Sequence, residues 1–286
     1  MQNRHRAVYR ATSVVGALCA LSILATQAHA SEKGTRLTQE FHHTYSLAAQ
    51  GRVSLDNING PVHISSWDRN EVKVDAVKHA DSQEQLDEAR IEVQADSNAI
   101  SIQTKYPEHS DYRSGNNPAW VEYTLTVPRN ARLDEIKLIN GSLEISGISG
   151  EVRASCINGT LSAKELTGPM KLSTINGLAD VEIGHSGSDQ VEISSVNGPV
   201  KVTLASDTKA RIEANSVTGK ISNDFGLRVN DHQYVGHDLN GELGGGGMRI
   251  ELRNVNGPIQ IHRINDGHAL GAVKDFNQHH KESGEI

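Results

Sequence analysis

Ile139-Asn140-Gly141-Ser142-Leu143-Glu144-Ile145-Ser146-Gly147 runs without a gap into Ile148-Ser149-Gly150-Glu151-Val152-Arg153-Ala154-Ser155-Cys156. Three more nines follow, starting at Ile157, Leu166 and Ile175 and ending at Ile183. Each unit has an apolar residue at its first, fifth and seventh positions and glycine at its third. A fixed short period marks a stacked architecture. The fifth and seventh positions flank a polar sixth (Glu144, Arg153, Ser162, Lys171, Asp180), which is a strand with one face inward. Glycine frees the backbone for a corner. The apolar residue at the first position is expected to close that corner over the core.

The corners alternate. Asn-Gly stands at 140, 158 and 176, whereas Ser-Gly and Thr-Gly stand at 149 and 167. The true repeat is therefore eighteen residues, two half-coils per coil. The sequence predicts an all-β, parallel β-solenoid of nonapeptide half-coils, in which strand i pairs with strand i+18 and the corner asparagines stack. Asn-Gly between alternating runs is also a hairpin signal, so an antiparallel β meander is the alternative. Further copies put structural corners at Asn59-Gly60, Asn140-Gly141, Asn158-Gly159, Asn176-Gly177, Asn197-Gly198 and Asn256-Gly257.

Residues 1–30 read as a signal peptide: Arg4, Arg6 and Arg10 precede an apolar run from Val14 to Leu24, and Ala28-His29-Ala30 fits the cleavage rule before Ser31. The apolar run falls short of the ~20 residues of a spanning helix. No membrane span is expected in the mature chain, which is placed outside the cytoplasm, in the periplasm, secreted or at the cell surface. Cleavage takes the formal charge from −7 to −10 (25 basic against 35 acidic residues). Such an acidic chain lacks the electrostatic footprint of a nucleic-acid binder. One cysteine, Cys156, remains and is read as a structural thiol at a corner.

Residues 31–135 form a β-rich part with one short helix over Ser82–Arg90, capped by Ser82. Residues 136–264 form the repeat array, with Met248–Ile261 as its last coil after an insertion over 223–247 that ends in Gly244-Gly245-Gly246-Gly247. Residues 265–286 are polar and read as a disordered tail. The stretch Lys105–Ala119 breaks all periodicity. With Trp67 it supplies the candidate contact zone, Trp67, Tyr106, Tyr112 and Trp120, because exposed Tyr and Trp favour interfaces. The competing reading has Trp67 and Trp120 plugging the open end of the solenoid.

No metal and no cofactor are expected. Calcium needs several oxygen ligands including carboxylates, and no aspartate recurs at the corners. The histidines of the mature chain show no closed-site spacing. The enzyme alternative is a polysaccharide-acting parallel β-helix. Sugar chemistry calls for paired carboxylates, and no acid pair recurs on the outward positions.

The run Val121-Glu-Tyr-Thr-Leu-Thr-Val-Pro128 leading into repeated Ile-Asn-Gly units, with the glycine run before Val255-Asn256-Gly257, resembles a bacterial family of secreted or envelope adhesin-type proteins with β-strand repeats. These are related to head-domain adhesins of β-helical form. The resemblance covers roughly residues 40–264. It implies a β-helix-like body and a non-enzymatic role at the cell surface, binding an envelope partner (protein or glycan) or serving as a structural element. It carries over no catalytic residues.

Overall fold

The computed structural model describes residues 36–107, 119–184, 190–232 and 235–277. The segment read as a signal peptide, and Tyr112, lie outside them. The described chain is all-β with one short helix, and its strands form a ten-stranded and a twelve-stranded sheet. Over residues 136–183 neighbouring strands pair in parallel at the eighteen-residue step. Asn140 sits beside Asn158 and Asn158 beside Asn176 in the larger sheet. Leu143, Leu161 and Ala179 line up in the smaller one, as do Glu144, Ser162 and Asp180. An antiparallel meander would set Glu144 beside residue 153 instead, so this part of the chain is not a meander. The two halves of each repeat go to different sheets, and the fifth- and seventh-position side chains of both sheets join one buried cluster.

The order of the strands in space departs from their order in the chain at both ends. Arg52–Asn59 lies between Ala99–Lys105 and Arg132–Asn140. Its continuation Val62–Trp67 lies between Trp120–Pro128 and Leu143–Ser146. At the far end, Met248–Asn256 lies between Gln190–Asn197 and Ala210–Ser216. Ile259–Arg263 likewise separates Val200–Leu204 from Ile221–Asn223. The pass expected to be last is therefore an insert, and Ala210–Asn223 stands outside it.

Both ends turn antiparallel. Leu37–Ser46, Glu71–Ala80 and Trp120–Pro128 pair in that sense, as do Arg90–Ala95 and Ala99–Lys105. At the other end His237–Leu243 runs against Ala210–Ser216 and carries Asn230–Asp231 and Val273–Asp275 on its outer edge. The stretch 265–277, read from composition as tail, thus contributes a strand. Hydrogen bonds from the Ser206 hydroxyl and from its amide hold the Asp266 carboxyl far below the usual range. The helix is Gln83–Glu88, with Ser82 and Gln85 forming a reciprocal capping box and Leu86 buried beneath it. Arg132–Asn140 carries a bulge at Glu135, where the register shifts against both neighbouring strands.

The corners explain the glycines. Gly159 has φ 147°, and a Cβ there would lie 1.8 Å from the Gly141 carbonyl oxygen. One inward column faces these corners: Asn57, Leu138, Cys156, Thr174, Ser195, Asn254 and Ser216, neighbours in register. Asn57, Cys156, Ser195, Asn254 and Ser216 donate to corner carbonyls, whereas the buried Thr174 hydroxyl finds no partner among the described residues. Cys156 Sγ lies 3.5 Å from Gly141 O, and Asn254 Nδ2 is 2.9 Å from both Gly198 O and Gly257 O. Cys156 is thus a buried strand residue rather than a corner residue, and burial pushes its thiol pKa up.

A candidate docking face on the twelve-stranded sheet

The strand Val152–Asn158 points Val152, Ala154 and Cys156 inward. Period two then turns Arg153, Ser155 and Ile157 outward. Repeated down the sheet, this produces outward rows that cross the strands. One row is aliphatic: Ile157, Ile175, Val196, Val255 and Val217, in spatial order. Ile139 and Ile58 extend it, half-buried. The five named first are 36–45% exposed, so the first-position residue does not close the Asn-Gly corner over the core. It does close the other corner, where Ile148 and Leu166 are buried. The strand runs on to the asparagine, and the residue before that asparagine falls on the outer face.

Beside the aliphatic row runs an asparagine ladder. Asn140 Nδ2 donates to Asn59 Oδ1, Asn158 to Asn140, Asn176 to Asn158, Asn197 to Asn176 and Asn256 to Asn197, each at 2.8–2.9 Å. Thr218 Oγ1 continues it, donating to Asn256 Oδ1 at 3.1 Å. On the other flank lie Ser155, Ser173, Ser194 and Arg253, and then a charged row of Arg153, Lys171, Glu192, Glu251 and Glu213. Lys171 Nζ is 2.9 Å from Glu192, Arg253 pairs with Glu251, and Arg249 is 3.9 Å from Glu213.

Toward the far end the face becomes a groove of about 690 Å³. Ile175, Val196, Val255 and Val217 form its apolar side, and His232 and Val235 stand at its wall. Two histidine–aspartate pairs brace that wall, His232 Nε2 to Asp238 Oδ1 and His237 Nδ1 to Asp231 Oδ1, both at 2.5 Å. Among the described residues no group of three or more His, Cys, Asp or Glu side chains is placed to hold a metal ion.

The aromatic zone is not gathered into one surface. Trp67 pairs with Pro128 and His79 with Trp120, so the two indoles lie at opposite ends of Trp120–Pro128, roughly 26 Å apart. Trp67 Nε1 donates to Glu71 O, with Arg69 over its ring. Trp120 stacks on His79 at 3.9 Å. The Tyr106 hydroxyl donates to Ala119 O, and its ring packs against the core. Two strands lie beyond Trp120–Pro128 in its sheet, so neither indole stands at the sheet's end.

No family model matches the chain, and no curated protein matches it significantly. Among solved structures, the chain is similar to a candidate cell adhesion protein from Clostridium sporogenes, 16% identical, covering 79% of this chain and 100% of that one with TM-score 0.46. A candidate adhesin from Bacteroides fragilis is 9% identical over 79% of this chain and 97% of its own, with TM-score 0.30. A candidate lipid-binding protein from Parabacteroides distasonis is 8% identical over 82% and 98%, with TM-score 0.24. Likeness at these levels establishes neither a shared fold nor a shared function.

Proposed function

We propose that the protein is a non-enzymatic, secreted β-solenoid that docks a cell-surface partner on the outer face of its twelve-stranded sheet. The observation that carries this is the exposed aliphatic row Ile157, Ile175, Val196, Val255, Val217, flanked by polar rows. Contiguous exposed apolar surface rimmed by polar groups marks interaction sites. Parallel register, alternation of half-repeats between the sheets and the shared core support a solenoid winding. The leader-like residues 1–30 support export, and the adhesin-type resemblance of the repeats supports a surface role. No helix among the described residues is long and apolar enough to cross a membrane.

A polysaccharide-acting enzyme fits this face poorly. Glu192, Glu251 and Glu213 stand side by side on an open sheet, each held by a lysine or arginine. Glycoside hydrolysis instead needs two carboxyl groups flanking one bond.

The test is retention of purified protein on washed cells of the source organism. Wild type is expected to be retained, and Ile175→Asp to be lost from the cells while melting as wild type does. Equal retention of Ile175→Asp would overturn the docking face.

A further inference from the structure

We infer that the cell-surface partner on this face is a second copy of the chain, related by a two-fold axis parallel to the strands and passing over Val196. This rests on the docking-face reading above and names its occupant. Such an axis keeps each outward row opposite the same row of the partner and reverses the order of strands along it. A closed two-fold interface must be self-complementary in this way.

The charges of the face have that antisymmetry. In the charged row the spatial order is Arg153, Lys171, Glu192, Glu251, Glu213. Reversal about Glu192 sets Arg153 opposite the second copy's Glu213, and Lys171 opposite its Glu251. The serine row runs from Asp56 and Lys137 to Asp238 and Asn230. Reversal about Ser194 sets Lys137 opposite Asp238 and Asp56 opposite the neutral Asn230. A third row runs from Arg132 and Glu151 through Pro169, Gln190 and Arg249 to Arg211 and Glu242. Reversal about Gln190 sets Arg132 opposite Glu242 and Glu151 opposite Arg211. Five kinds of opposite-charge pair result, each occurring twice. Arg253 and Arg249 come to face the neutral Ser173 and Pro169, and Asp134 and Glu135 come near Asn240. Two like-charge contacts arise: Glu192 with its own copy on the axis, each neutralised by its Lys171, and, at the outer edge, Arg52 with Lys274.

The aliphatic row is self-complementary by the same operation: Ile157 meets Val217, Ile175 meets Val255, and Val196 meets Val196. Two rows with the same strand spacing of about 4.8 Å stay in step along their whole length. Seven strands about 4.8 Å apart and eight residues at about 3.3 Å each make a face of roughly 23 Å by 29 Å, on the order of 700 Å² per partner. A standard interface buries about 800 Å² per partner, so the dimer is expected to be reversible and weakened by salt.

Sedimentation equilibrium of the purified protein from about 1 to 500 μM tests this, at low and at high salt. A monomer–dimer equilibrium is expected, and its association constant should fall at least tenfold as salt rises. Arg153→Glu should weaken association at least tenfold, and so should Glu213→Arg. The double variant should recover most of the loss, since its charges are exchanged across the axis. Thermal melting of each variant separates misfolding from lost contact. A wild-type monomer throughout overturns the inference, and so does a folded double variant that stays as weak as the singles. If the protein is monomeric but Ile175→Asp still abolishes cell retention, the second copy is excluded and the docking face stands.

Discussion

Asn256 Nδ2 donates to Asn197 Oδ1 at 2.9 Å, although the two stand 59 positions apart in the chain. The ladder of side-chain amides thus follows position in the stack rather than position in the sequence. Asn176 sits mid-ladder, accepting from Asn197 and donating to Asn158. Asn176→Ala should cost about 1–3 kcal/mol, two modest hydrogen bonds. Asn59→Ala loses only the ladder bond from Asn140 and should cost less. Urea denaturation of both variants checks this, and equal costs would count against a ladder acting bond by bond.

The inward and outward positions of one strand should separate sharply. Leu161 is fully buried between Leu143 and Ala179, whereas Ser162 lies on the outer face. Leu161→Ala should cost roughly 2–5 kcal/mol, the range for a cavity in a core. Ser162→Ala should stay within about 0.5 kcal/mol. Spin labels at 144 and 162 should report neighbouring strands, closer than labels at 144 and 153.

Two corner substitutions should move stability in opposite directions. Glu165 has φ 54°, in the turn position that Gly147 fills one repeat earlier. Glu165→Gly relieves a left-handed non-glycine residue and should stabilise by up to about 1 kcal/mol. Gly159→Ala drives a methyl group into the Gly141 carbonyl and should destabilise by more than that. Melting temperatures of the two variants on either side of wild type are the expected result.

Cys156 acts as a weak donor in a column where Ser195 and Ser216 do the same task. Cys156→Ser should therefore change stability by no more than about 1 kcal/mol. The wild-type thiol is buried and its pKa raised, so it should resist thiol reagents until the protein unfolds.

His42 lies against Glu40 at 3.0 Å and Asp75 at 2.7 Å, and these bonds raise its pKa above the ordinary 6.5. A raised folded-state value means the contribution is full below the unfolded pKa and fades as pH rises through the folded one. Proton NMR should place the His42 midpoint above 6.5. In His42→Gln that pH-dependent increment should vanish, and a wild-type midpoint at or below the ordinary value would refute it.

Much of the architecture was legible in residues 139–183. Alternation at positions five and seven gave strands, and alternation of corner type gave an eighteen-residue step. The exposed row was legible too, had the alternation been carried one residue further: with Val152, Ala154 and Cys156 inward, Ile157 falls outward. The inserted passes were harder. Their mark is Asn57-Ile-Asn59-Gly-Pro and Asn254-Val-Asn256-Gly-Pro, where an asparagine two residues upstream precedes the corner asparagine. In both, the buried amide donates to carbonyls of its own corner and of a neighbouring segment. Periodicity cannot show this, because an inserted pass has the same period as its neighbours. The aromatic residues misled because scarcity in a sequence does not measure exposure. Tyr123 is fully buried, its hydroxyl held by Thr104.

The inserted passes also decide how the protein meets mechanical load. A stack wound in simple chain order would peel from its last turn, one strand at a time. Here a pull on the C-terminus must first strip Val273–Asp275 from the outer edge. It then reaches 248–263, clamped on both flanks by strands that come earlier in the chain. Drawing that segment out shears two rows of hydrogen bonds together instead of unzipping one. Arg52–Trp67 presents the same clamp to a pull from the N-terminus, once Leu37–Ser46 has been stripped away. Resistance to force is thereby built in near both ends of the described chain.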